Sequence, residues 1–227
     1  MSTAHRDDLH WLRTTVLTSA AFVGLLWFIH VVLALTGWSA QPLGLQPGEM
    51  AGLLGVLTAP LIHGSWVHLL GNSPALLLLG IAVLYGTPMA ARTALPIIWI
   101  GSGIGVWLFA REAVHVGASG LTYGMMFFVF FIGILRRDKR SIALSLIVFF
   151  LYGSMIWGIL PGDPGISFEY HLFGAIAGTF SAFLLRYHDP LPTRRRYDWE
   201  DEDPPDDQDG ADKRFFDLPD PDDRRWF

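Results

Sequence analysis

Residues 118–135 read Ala-Ser-Gly-Leu-Thr-Tyr-Gly-Met-Met-Phe-Phe-Val-Phe-Phe-Ile-Gly-Ile-Leu, a run with no charged side chain that ends at Arg136-Arg137-Asp138-Lys139-Arg140. Such a run is a transmembrane helix candidate, because about 17 to 25 apolar residues carry an α-helix across a bilayer. It is continuously apolar and does not alternate with period two, which excludes a barrel strand. Comparable runs lie at about 15–37, 64–86, 92–110, 141–160 and 169–186. The reading is an all-α, polytopic membrane protein with six transmembrane helices. The first run is retained, since it is long for a signal sequence and Trp38-Ser39-Ala40 puts a bulky residue where cleavage wants a small one. Composition agrees: the chain of 227 residues is 52% hydrophobic and only 16% charged, with a mean hydropathy of +0.38. Cysteine is absent, which excludes disulfides, thiolate metal sites and a cysteine nucleophile.

Charge divides the chain. Residues 198–227 hold thirteen Asp/Glu and four Lys/Arg, a net −9, so the rest of a chain of net −5 carries +4. A basic body with an acidic tail excludes a nucleic-acid binder, which needs a basic stripe. The tail, exemplified by Glu200-Asp201-Glu202-Asp203-Pro204-Pro205, cannot bury enough apolar surface to order itself. Its aromatic islands, Phe215-Phe216 and Trp226-Phe227, offer docking points for a soluble partner, against the plainer reading of a solvated tail. The expected organisation is a cytoplasmic N-terminal segment (1–14), a membrane domain (15–186) and a disordered acidic cytoplasmic tail (187–227).

Orientation follows from the basic residues. With the N-terminus inside, the inner segments hold Arg6, Arg13, Arg92, Arg136, Arg137, Lys139, Arg140, Arg186, Arg194, Arg195 and Arg196, while the outer loops hold only Arg111. Both termini are thus expected in the cytoplasm. The long outer loop 38–63 contains Pro42, Pro47, Pro60 and four glycines, and is expected to have structure of its own at the interface.

In this topology helices two, four and six all begin at the outer face, and each begins with hydrogen-bonding side chains. His63 precedes the second; His68 and Asn72, four apart, share one face of it; Ser119 opens the fourth; His171 opens the sixth, two residues after Glu169. Ionisable groups inside spans are costly and therefore functional candidates. A serine hydroxyl becomes nucleophilic when a base takes its proton, and histidine suits that task near neutrality. Ser119 and His171 are that pair, expected as a dyad in which packing or a ring contact orients the imidazole in place of an aspartate. An oxyanion formed on attack would find donors in His68, Asn72 and the Ser119 backbone N–H at a helix N-terminus. Gly120 and Gly124 on helix four face Gly174, Ala177 and Gly178 on helix six as small-residue stripes that let two backbones approach. The competing reading of Ser119 is a helix N-cap. His30 is read as an interhelical hydrogen-bonding group, Trp107 and Trp157 as interfacial belt residues, and 136–140 as a topology determinant.

These motifs together resemble the rhomboid family of intramembrane serine proteases: His63-x4-His68-x3-Asn72, then Gly117-Ala118-Ser119-Gly120, then Tyr123, then His171-x2-Gly174-x3-Gly178. The resemblance implies a Ser119 nucleophile, a His171 base, an oxyanion site of His68, Asn72 and the Ser119 amide, a Tyr123 ring packed on the imidazole, and His63 near the oxyanion site. It implies peptide-bond hydrolysis without metal or cofactor, on transmembrane protein substrates in the bilayer admitted past helices two and five, and suits a bacterial plasma membrane with the site open to the outer face. Many relatives carry a Trp-Arg pair in the first outer loop, whereas loop 38–63 has no arginine. Two other classes stand beside this one. One is a catalytically silent rhomboid-like client-binding protein. The other is a metal hydrolase using His63, His68 and His171, which lacks a His-Glu-x-x-His pattern.

Overall fold

The computed structural model describes residues 3–190 of the chain. The expected acidic tail beyond residue 190, its aromatic islands and Arg194 to Arg196 fall outside these residues. The described part is all-helical: α1 (Thr3–Thr36), the short α2 (Gly55–Thr58), α3 (Trp66–Gly86), α4 (Pro88–Phe109), α5 (Ser119–Arg136), α6 (Lys139–Tyr152) and α7 (Phe168–Leu185), with short 3-10 turns between them. Six segments are long and apolar enough to span a bilayer, the fifth being α6 continued by the 3-10 segment Gly153–Ile159. The six expected spans are all present, and the protein is an integral membrane protein.

The spans are not equivalent. In the most apolar stretch of each, 67% of α5 and 56% of α7 is buried, against 11% of α1 and of the fifth span. The cause is glycine. A Cβ on Gly174 would strike the carbonyl of Gly120, and one on Gly178 the carbonyl of Gly124, so the two helices touch backbone to backbone over a full turn. This is the expected pair of facing stripes, except that Ala177 turns toward Gly101 of α4, 3.3 Å from a Cβ built there. The core around this seam is aliphatic and aromatic, with Ile98, Phe128, Ile132 and Leu185 almost wholly buried.

The bundle has two polar ends. α3, α5 and α7 begin at one, here the site end; they finish at the other, the far end, where α4 and α6 start. At the far end Arg137 turns left-handed (φ 58°) to stop α5, and Asp138 caps α6 by accepting from Ser141 N (3.0 Å) and Oγ (2.6 Å). Burial raises the proton affinity of the Asp138 carboxyl, but hydrogen bonds from Ser141 and the neighbouring Arg136 outweigh it and hold it below the usual range. Helix α4 takes its cap from far along the chain: Asp189 accepts from Met89 N (2.8 Å) and Ala90 N (3.0 Å), and Arg136 Nη1 donates to the Asp189 carbonyl (2.8 Å). Within the basic cluster at 136–140, Arg136 and Asp138 therefore act as a structural clamp.

At the site end, loop 38–63 is ordered by short helical turns and by exchange with the loop before α5. Leu45 and His115 trade backbone hydrogen bonds (2.9 and 2.8 Å), Gly117 N donates to Ala59 O (2.9 Å), and Trp107 Nε1 donates to Glu49 O (2.9 Å). Trp107 thus anchors the loop and is not simply a belt residue. These contacts serve in a loop that has no arginine.

Candidate active site

The site is built on three helix starts. Ser65 caps α3 by accepting from His68 N (3.1 Å), which fixes the first turn carrying His68; Asn72 follows one turn later on the same face. Gly117 lies at φ +113°, and a Cβ there would run into the His68 ring; only glycine suits a residue so placed. After it, Ala118 is the N-cap of α5 without any side-chain cap, and Ser119 is the first helical residue. The capping alternative is thereby removed, because the Ser119 hydroxyl is not spent on a backbone amide. Ser167 caps α7 by accepting from Tyr170 N (3.2 Å), placing His171 in the first turn.

A cavity of about 770 Å³ brings these together: His68, Asn72, Ser119, Tyr123 and His171 all line it. The His171 imidazole lies flat on the Tyr123 ring, with centroids 4.0 Å apart and planes 4° from parallel. His171 Nδ1 is 2.9 Å from the Gly158 carbonyl. A carbonyl only accepts, so Nδ1 carries the proton and a neutral ring has its lone pair on Nε2. The ring contact expected in place of an aspartate is present, and the carbonyl is an addition that sequence reading missed. Glu169 is occupied elsewhere, paired with Arg111 (3.4 Å).

Among the described residues no hydrogen bond joins the Ser119 hydroxyl to His171; the two face the same cavity without closing on each other. The Asn72 amide nitrogen is buried with no partner. Such a donor is costly unless a ligand takes it up. His63 is 4% exposed, lies edge-on to His68 with centroids 5.1 Å apart, and has neither ring nitrogen bonded. Burial pushes its imidazole down to about 3, and the rings of His68 and His30 add to this, so it is neutral. His30 does not make the expected interhelical hydrogen bond: its Nδ1 has no partner and its ring stands against Trp66 at 4.4 Å and 88°. Gly120 packs on the Tyr170 ring, and Gly174 on Gly120, so these glycines set the separation of α5 and α7 and do not line the cavity.

Sequence reading also missed His115, which bonds Ser167 Oγ (2.7 Å) and the Arg111 carbonyl (3.1 Å). With Arg111 donating to the carbonyls of Pro164 and Ile166, it ties the loop before α5 to the loop before α7 across the cavity mouth. Nothing in its sequence context distinguishes it from an exposed loop histidine. Among the described residues no group of three or more His, Asp or Glu side chains is arranged to hold a metal.

A rhomboid domain matches residues 50–188. An uncharacterized protein of Mycobacterium tuberculosis is 37% identical over 181 residues, 76% of this chain and 74% of the relative. An uncharacterized protein of Mycobacterium leprae is 30% identical over 188 residues, 78% and 73% of the two chains. A Bacillus subtilis protein named "Putative rhomboid protease YdcA" is 28% identical over 152 residues, 63% and 70%. Since the domain match covers more than half of the sequence and includes every helix that lines the cavity, the chain belongs to the rhomboid family.

Proposed function

We propose that this protein is an intramembrane serine endopeptidase that hydrolyses peptide bonds of transmembrane proteins with a Ser119–His171 dyad. The observation that carries it is the shared cavity in which an uncapped serine at a helix start faces a histidine whose Nε2 is left basic. Ser119 attacks the scissile carbonyl as His171 Nε2 takes the hydroxyl proton; the imidazolium returns it to the leaving amine. The Asn72 amide, His68 and the free N–H groups of the first turn of α5 supply donors for the oxyanion. Water then cleaves the acyl-enzyme with His171 again as base. His63 backs the His68 ring, Gly117 makes room for it, Gly120, Gly174 and Gly178 bring the two helices into register, and no metal or cofactor takes part.

The positive-inside asymmetry supports cytoplasmic termini and a site open to the outer face of a bacterial plasma membrane. In this reading residues 15–186 form the membrane domain, and substrates enter between the second and fifth spans. Ser119→Ala and His171→Ala are each expected to abolish cleavage of a model transmembrane substrate; full activity in both ends the assignment. The rival, a catalytically silent client-binding rhomboid, is favoured by the missing Ser119–His171 hydrogen bond. A fluorophosphonate probe separates them: labelling lost in Ser119→Ala supports the hydrolase, and a wild type that never labels supports the binder.

A further inference from the structure

His171 meets three groups that matter to a base: the Tyr123 face, the Gly158 carbonyl and the cavity. Only the carbonyl determines where the ring proton sits. A stacked ring is indifferent to tautomer, since both neutral forms present the same face, whereas a carbonyl 2.9 Å from Nδ1 requires a proton there. Catalysis requires the opposite nitrogen bare. In a serine–histidine–aspartate triad that selection falls to a carboxylate, and a wrong tautomer costs about four orders of magnitude in rate. Here the Glu169 carboxylate, two residues before His171, is held by Arg111 and Ser167.

The carbonyl also comes from an unexpected place. Gly158 belongs to the 3-10 segment that ends the fifth span, which is among the least buried spans of the bundle. Its position against the site is close: a Cβ on Gly158 would collide with the Tyr123 hydroxyl, and would lie 3.0 Å from Tyr123 Cζ and 3.3 Å from His171 Nδ1. Glycine is what allows a main-chain oxygen to reach the ring beside the tyrosine.

Resting on the hydrolase reading, we infer that Gly158 is a positioning residue whose main-chain carbonyl takes the role of the triad carboxylate, so that the base is set for catalysis only while the end of the fifth span is seated against α7. Movement of that end by an ångström or two withdraws the acceptor from Nδ1 and releases the ring to both tautomers. The chemistry on the rigid seam is thereby conditional on a peripheral helix.

The test uses the full-length protein in detergent micelles with 15N-labelled histidine, the His171 signals being identified by their absence from His171→Ala. At a pH where the ring is neutral, the wild type is expected to show a protonated Nδ1 and a bare Nε2. Gly158→Ala is expected to show mixed tautomers and a kcat lower by about 10- to 100-fold with KM little changed. Adding Tyr123→Phe, which removes the colliding hydroxyl, is expected to restore the single tautomer and bring kcat to within about fivefold of Tyr123→Phe alone. A wild-type proton on Nε2, or a Gly158→Ala protein that keeps the pure Nδ1–H signature, overturns the inference. Failure of the hydrolase reading looks different: the wild type takes up no fluorophosphonate while the histidine spectrum still reports the tautomer.

Discussion

The two ends of the bundle treat polar groups in opposite ways. At the far end Asp189, Arg136, Asp138 and Ser141 saturate one another and the first amides of α4. At the site end the Asn72 amide and both His63 nitrogens are buried with no partner, and the Ser119 hydroxyl does not reach His171. A buried polar group left unpaired costs roughly 1 to 3 kcal/mol. One fold that closes one end so fully and leaves the other open separates two uses of polarity. Paired groups hold helices in place, and in the proposed reading the unpaired Asn72 amide is a donor kept for substrate.

That contrast can be broken by substitution. The largest effect is expected at Ser119: alanine should lower cleavage by about 10⁴-fold or more, while the melting temperature in detergent stays at the wild-type value. A large fall in melting temperature would move Ser119 into the structural class. Next is Asn72→Ala, expected to cost about 10²- to 10³-fold in kcat with KM nearly unchanged, as for loss of an oxyanion donor; an equal loss in binding of an uncleaved substrate would argue against that role. Asp189→Ala should behave inversely, destabilising by about 1 to 2 kcal/mol in denaturant melts while each folded molecule keeps its activity.

His63 sharpens the comparison through pH. The unfolded chain protonates it near the ordinary 6.5, but the fold resists until about 3, so the unfolded state binds more protons across that window. Stability therefore falls as pH drops from 6.5 toward 3 and is independent of this group above 6.5. Melts of wild type and His63→Phe at successive pH values should diverge only on the acid side. The smallest effect is expected from Tyr152→Phe, which removes the hydrogen bond to the Pro74 carbonyl (3.4 Å) that ties α6 to α3. A loss below about 1 kcal/mol should raise kcat/KM for a bulky transmembrane substrate by no more than about fivefold.

Much of this was legible in the residues. Six apolar runs gave six spans because hydropathy over a bilayer's thickness is a strong, local signal. The Gly120, Gly124, Gly174 and Gly178 seam was readable because small residues four apart have few other reasons to recur on two helices. Gly158 was not, since a main-chain oxygen has no letter of its own, and neither was the Asp189 cap, whose partners lie about a hundred positions away. Trp107 and His30 were legible only in part for a related reason: an indole or imidazole near a helix end suits several neighbours, and packing gives Trp107 a bond to Glu49 O and sets His30 against Trp66.

The cap on α4 also bears on where the domain can be trimmed. The rhomboid domain match ends at residue 188, one position short of the carboxylate that covers the amides of Met89 and Ala90. A fragment cut at that boundary would leave α4 frayed at its base and remove the Asp189 and Pro190 carbonyls that Arg136 grips, whereas two residues more keep the lock shut.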